Sequence, residues 1–66
     1  MCNKTRKATV KDLFRGSRLV NKYGADVTIL DKYDDGIWEA RLWDGFRLIG
    51  DATIFESEVG SLTVNL

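Results

Sequence analysis

The sequence predicts an all-β fold, a small five-stranded barrel with a short N-terminal arm or helical turn. Residues 25–54 form three runs of alternating apolar and polar side chains, which is typical of half-buried strands. Turns that contain Gly36 and Gly45 separate these runs. Because a flat sheet would leave its apolar face in water and its edges unpaired, we expect the strands to curl and close.

The first turn fixes the pairing of the first two long strands. A slip of one residue moves every side chain of a strand to the opposite face, so the correct turn length gathers the apolar residues on one side. A loop over residues 33–36 achieves this, with Gly36 supplying a positive φ. It places Val27 and Ile29 opposite Leu42 and Ala40.

The second turn extends the same inner face. A loop over residues 43–45, with Gly45 in the left-handed conformation of a bulge, pairs Leu42 with Phe46. Trp43 then points to the outer face. The predicted inner face consists of Trp38, Ala40, Leu42, Phe46, Leu48, Gly50, Ala52 and Ile54.

The other predicted elements are short. Residues 10–15 fit a helical turn, although a strand over residues 5–10 fits the pattern equally well. Residues 18–21 fit a strand. Residues 55–60 fit a helical turn that ends at a glycine, and residues 61–64 fit a last strand.

Length and composition indicate one small globular domain. The 66 residues include ten basic and ten acidic side chains, and 44% of them are hydrophobic. No apolar run is long enough to span a membrane, and the first residues lack the apolar segment of a signal peptide. We therefore expect a cytoplasmic protein that does not bind membranes. Cys2 is the only cysteine, which excludes an internal disulfide.

We predict a basic N-terminal arm over residues 1–17 and a barrel over residues 18–66, and charge is distributed unevenly along the chain. Residues 1–23 contain seven bases and one acid, whereas residues 24–66 contain three bases and nine acids. Two interpretations stay open. Either the two halves attract each other within the domain, or the arm binds phosphate or an acidic partner.

The second half of the chain resembles SH3 domains. The run over residues 34–42, DDGIWEARL, resembles their acidic turn, tryptophan pair and core alanine, and the run over residues 52–59, ATIFESEV, resembles their helical turn before the last strand. The resemblance covers about residues 24–64 and implies an SH3-like barrel. The matched positions are Gly36, Trp38, Ala40, Ala52, Ile54 and Val59.

The sequence departs from SH3 domains where those domains bind proline-rich peptides. Ile37 replaces the first tryptophan of the pair, and Phe55 and Glu58 replace the proline and tyrosine of the last motif. Polyproline peptides dock between aromatic ridges, most of which are lost here. We therefore predict that this protein does not bind PxxP peptides, and the resemblance leaves the ligand class open.

Catalysis is not expected from these residues. The chain contains no histidine, and its single cysteine cannot form a CxxC site. The acidic turn around Asp34 and Asp35 lacks the spacing of a calcium loop, and no phosphate-binding or dinucleotide motif is present. We predict no enzyme activity, no metal, no cofactor and no small-molecule substrate.

Binding to another protein is the function that the pattern favours. The outer face carries apolar side chains among charged ones, and Trp and Arg are common in interface hot spots. We predict a regulator or inhibitor that contacts a larger protein partner. The predicted contacts are Leu30, Ile37, Arg41, Trp43, Arg47 and Ile49.

Two alternatives remain at this stage. Small barrels often bind nucleic acid, and the basic arm would then supply the phosphate contacts, although the overall charge is zero. A structural or oligomerisation subunit is the other alternative. The predicted nucleic-acid contacts are Lys4, Arg6, Lys7, Lys11 and Arg15.

Overall fold

The chain forms one antiparallel sheet that is curled into a half-barrel, as seen in a computed structural model that describes residues 4–65. This confirms the predicted all-β class. The strands are β1 (Thr5–Lys7), β2 (Arg18–Val20), β3 (Asp26–Asp34), β4 (Ile37–Asp44), β5 (Arg47–Phe55) and β6 (Thr63–Asn65). Two 3-10 helices, η1 (Val10–Asp12) and η2 (Glu56–Ser61), precede β2 and β6.

The strand order in the sheet is β1-β6-β2-β3-β4-β5. Among residues 4–65, strands β1 and β5 therefore form the two edges of the sheet, which curls into a half-barrel where we expected a closed barrel. The six strands are one more than expected. The additional strand, β1, has only exposed side chains and lies within residues 5–10, where the sequence left a strand and a helical turn open.

The pairing of β3 with β4 follows the predicted register over its central part. Val27 lies opposite Leu42 and Ile29 lies opposite Ala40, which confirms the prediction. The predicted loop over residues 33–36 is wrong, because both strands continue to a tight turn at residues 35 and 36. Two register shifts in this hairpin accommodate the additional paired residues, so the apolar side chains at the centre of both strands still lie on the inner face.

The pairing of β4 with β5 differs from the prediction. Leu42 lies opposite Gly50 and not opposite Phe46, and the loop is formed by Gly45 and Phe46. Gly45 has φ of +62°, which suits the first central position of a type II′ turn. The observed pairing differs from the predicted pairing by an even number of residues. Gly50 and the residues after it therefore lie on the face that was predicted for them.

A bulge opposite Leu42 and Trp43 changes the face of the first residues of β5. Leu48 lies opposite Trp43, on the outer side of the hairpin. Phe46 is 104% exposed at the end of the hairpin and Leu48 is 50% exposed. The prediction that both side chains line the inner face is therefore wrong, because the bulge turns Leu48 to the outer side and the two-residue turn leaves Phe46 at the tip.

The core lies on the inner face of the half-barrel and is covered by the segments that precede β2 and follow β5. Trp38 packs against it together with Leu42, Ile54 and Val64. Both terminal segments contribute residues, so the sheet depends on them for its cover. The buried apolar residues are Ala8, Leu13, Leu19, Val27, Ile29, Ala40, Val59 and Leu62.

The N-terminal segment contains both elements that the sequence left open. Residues Thr5–Lys7 pair with β6 as a strand, and Val10–Asp12 then form a 3-10 turn. The backbone N–H of Thr9 donates a 2.7 Å hydrogen bond to the Asp12 carboxylate, as in a capping box. Leu13 is buried, whereas Phe14 is exposed.

Candidate binding surface

An open groove of about 630 Å³ crosses the outer face of β2, β3 and β4. We call it the outer groove. Its size lies within the range of about 300 to 1,000 Å³ that is usual for ligand pockets. The residues that define its character are the apolar Val20, Leu30 and Trp43 and the charged Arg18, Asp26 and Arg41.

Strand alternation places these side chains on one surface. Thr28 and Leu30 follow the buried Val27 and Ile29, and both line the groove. Cross-strand pairing sets the order of the lining residues, because Trp43 of β4 lies opposite Asp26 of β3. The indole therefore lies at the end of β4, next to the turn that joins β4 to β5.

The charge on the outer groove is mainly positive. Arg18 and Arg41 face it from two strands, and both pair with Thr28 of the strand between them. Arg41 Nε lies 3.7 Å from Asp51 Oδ1, and both side chains are well exposed. An exposed ion pair of this kind contributes little, so the guanidinium remains available to a ligand. The groove thus offers apolar surface beside two cations.

Exposed apolar residues continue from the groove onto the end of the β4–β5 hairpin. Phe46, Leu48 and Ile49 form this group, which we call the hairpin-end cluster. Their exposed fractions are 104%, 50% and 56%. Phe46 also lines the outer groove, and Leu48 pairs across the hairpin with Trp43. Grouped apolar side chains that remain exposed commonly mark an interaction surface.

The six predicted contacts are distributed over three places. Leu30, Arg41 and Trp43 line the outer groove together. Arg47 and Ile49 lie in β5, next to the same hairpin end but outside the groove lining. Ile37 lies at the opposite end of β4 from Trp43 and faces Phe55 across the hairpin.

Phe46 and Leu48 are surface residues that the sequence prediction missed. The prediction assigned them to the inner face because it used a loop over residues 43–45. The signal that could have found them is the Gly45-Phe46 dipeptide, since glycine is favoured at the first central position of a two-residue hairpin turn. That turn leaves Phe46 at the tip, where it reaches solvent.

The predicted nucleic-acid contacts of the N-terminal segment are all exposed, namely Lys4, Arg6, Lys7, Lys11 and Arg15. Arg6 is already engaged, because its guanidinium donates two hydrogen bonds of 2.7 and 2.9 Å to the Asp12 carboxylate. This contact raises the pKa of Arg6. The Arg6 guanidinium and the Thr9 backbone N–H hold the pKa of Asp12 well below its usual range.

Ion pairs within residues 4–65 do not connect the basic and acidic halves. Arg6 pairs with Asp12 in the N-terminal half, and two further pairs lie in the C-terminal half. The interpretation that the halves hold each other by direct ion pairs therefore receives no support from this part of the chain. The C-terminal pairs are Lys32 with Asp35 and Arg41 with Asp51.

The part of the chain that the structure describes contains no group of three or more His, Cys, Asp or Glu side chains that could hold a metal ion. Cys2, the single cysteine of the chain, lies outside the described residues. Within residues 4–65, no helix combines the length and the apolar character that crossing a membrane requires.

The fold defines a class, a small all-antiparallel half-barrel of six strands that is compatible with an SH3-like barrel. Comparisons with protein-family models, with curated proteins and with solved structures each found no significant match.

Proposed function

We propose that this protein is a non-enzymatic binding module that acts by protein–protein interaction, as a regulator or inhibitor that covers a surface of a larger partner. The observation that supports this most strongly is the continuous surface formed by the outer groove and the hairpin-end cluster. It combines the half-buried Trp43 with the exposed Phe46, Leu48 and Ile49.

The composition of this surface matches that of protein interfaces. Aromatic residues and Arg are enriched at such interfaces, and a few of them supply most of the binding energy. Trp43 can supply a large rigid contact, while Arg18 and Arg41 can form hydrogen bonds with carboxylates of the partner. We infer a partner segment that places an apolar side chain in the groove beside an acidic residue.

The proposed barrel type is SH3-like without the proline-peptide function. The helix Glu56–Ser61 lies between the last two strands, where the resemblance to SH3 domains requires a helical turn. Ile37 and Phe55 face each other across the hairpin, in place of aromatic ridges. Titration with PxxP peptides should leave the amide resonances of both residues unmoved. Saturable micromolar shifts there would contradict this.

Capture of a partner tests the proposal. The immobilised wild-type chain is compared with Trp43→Ala and with the control Tyr33→Ala, which removes a 70% exposed aromatic side chain from β3, outside the groove lining. We expect the wild type and Tyr33→Ala to capture the same protein and Trp43→Ala to lose it. Amide dispersion must show that each variant is folded. Equal capture by the folded Trp43→Ala variant would reject this surface.

Nucleic-acid binding is the second candidate, supported by one observation. Among the described residues, Lys4, Lys7, Lys11 and Arg15 are exposed, and the described ion pairs do not include them. A mobility shift with random DNA and RNA at low salt separates the candidates, because phosphate contacts weaken steeply as salt increases. A shift that disappears in a Lys7→Ala, Lys11→Ala and Arg15→Ala triple variant would favour nucleic acid.

A further inference from the structure

Strand β5 is a long free edge of the sheet. It contains nine residues, Arg47–Phe55, and within residues 4–65 it pairs with β4 alone. Neighbouring residues of an antiparallel strand alternate in the direction of their backbone groups, so about half of the N–H and C=O groups of β5 point away from β4. Such an edge is a template for another strand. The other edge, β1, has only three residues.

β5 has few of the features that usually prevent edge pairing. It contains neither proline nor lysine, and its only charged residues are Arg47 and Asp51. The bulge lies close to its start, so the segment from Gly50 to Phe55 pairs in regular register with β4. Apolar side chains within this segment and next to it are exposed, among them Phe55 and Ile49. A regular segment with apolar neighbours suits addition of a further strand.

We propose that β5 pairs antiparallel with β5 of a second copy of this chain, on a two-fold axis that passes through Ala52. Identical antiparallel strands generate such an axis, so every contact occurs twice. This register sets Asp51 opposite Thr53 of the second copy, within the segment from Gly50 to Phe55 that pairs regularly with β4. A register centred one residue earlier would instead set Asp51 against itself, and like charges in that position repel.

The side chains on the inner face of the two β5 strands also fit this register. Ile54 falls opposite Gly50 of the second copy, and no atom lies within 4 Å of the position that a Cβ on Gly50 would take. The space beside Gly50 can therefore receive the larger side chain. The chain has zero formal net charge, so long-range repulsion between two copies is weak. The second copy thus fits the edge by backbone pairing, shape and charge.

Sedimentation equilibrium of the whole chain, followed from micromolar to millimolar concentration, tests the dimer. We expect the mass to approach twice the 7.5 kDa of one chain. A wild-type chain that stays monomeric over the whole range overturns the proposal. None of the residues that line the outer groove lies in β5, so the outcome does not depend on whether the groove binds a partner.

Two substitutions at Thr53 test the register. Thr53→Asp places a second carboxylate opposite Asp51 of the other copy, whereas Thr53→Lys places a cation there. We expect dimer dissociation constants about tenfold weaker and about tenfold tighter than wild type, since each contact occurs twice. If both variants change the dimer dissociation constant equally, or if neither changes it, the proposed register is wrong. Thr53 is exposed, and amide dispersion shows whether each variant has kept its fold.

Matched variants at Tyr23 control for the change in net charge. Tyr23 is 82% exposed in the turn between β2 and β3, away from β5. We expect Tyr23→Asp and Tyr23→Lys to dimerise like the wild type. If they reproduce the two Thr53 effects, overall charge rather than strand pairing controls association, and the proposal fails.

Discussion

The indole Nε1 of Trp38 donates a 3.3 Å hydrogen bond to Oε1 of Glu56, which joins β4 to the 3-10 helix that precedes the last strand. The backbone N–H of Glu56 donates a second bond, of 2.9 Å, to the carbonyl oxygen of Gly36. The same residue therefore fixes the helix to both the β3–β4 turn and the core tryptophan. Val59 of this helix is buried in the core, so its position affects packing directly.

Removal of the Glu56 side chain should destabilise the fold. Glu56→Ala removes the acceptor of the Trp38 hydrogen bond, and we expect a loss of about 1 kcal/mol in the free energy of unfolding. Glu58→Ala is the control, because it shortens an exposed glutamate of the same helix. Urea unfolding measures both. Equal losses in the two variants would show that the indole bond contributes nothing.

The Arg6–Asp12 ion pair should make the stability of the fold depend on pH in the acidic range. The pKa of Asp12 is lower in the folded chain than in the unfolded chain, first because of the Arg6 hydrogen bonds and then because of the Thr9 N–H. Its contribution is therefore complete above the unfolded pKa of about 3.9 and is lost as the pH falls towards the folded value. Asp12→Asn should be less stable than wild type at neutral pH.

Urea unfolding across the acidic range measures this contribution. The difference between wild type and Asp12→Asn should shrink as the pH falls below about 4. Arg6→Gln breaks the same ion pair and should give a similar loss at neutral pH. A difference that grows as the pH falls would contradict the assigned direction of the pKa shift.

The glycine at the end of the β4–β5 hairpin should resist substitution. Gly45 has φ of +62°, a conformation that side chains disfavour, so we expect Gly45→Ala to lose about 1 kcal/mol. Gly50→Ala is the matched control, since Gly50 has no positive φ and its added Cβ would meet open space. The midpoints of urea unfolding measure the stability of both variants. A Gly45→Ala variant as stable as Gly50→Ala would argue against the turn.

The sequence allowed the central part of the fold to be predicted. Alternation along β3 and β4 was sufficient to pair Val27 with Leu42 and Ile29 with Ala40. It failed at the hairpin ends, where bulges add residues to one strand without breaking the apolar pattern. Phe46 shows the consequence, because an aromatic side chain in an apolar run was placed in the core although the turn exposes it.

The candidate surface was predicted only in part. Trp43 and Arg41 follow from alternation along β4, which the sequence displays. The outer groove also needs Arg18 and Val20, which reach it only because β2 pairs with β3. Strand order is a long-range property that alternation does not encode, so this contribution required the structure.

The central claim is that β4 directs Trp38 into the core and Trp43 to a binding surface. Its most direct test combines urea unfolding of the two alanine variants with titration of the captured partner. We predict that Trp38→Ala loses about 3 kcal/mol of stability. Trp43→Ala should lose at most about 1 kcal/mol of stability but bind the partner about 30-fold more weakly. A Trp43→Ala variant that unfolds, or that binds as tightly as wild type, would contradict the claim.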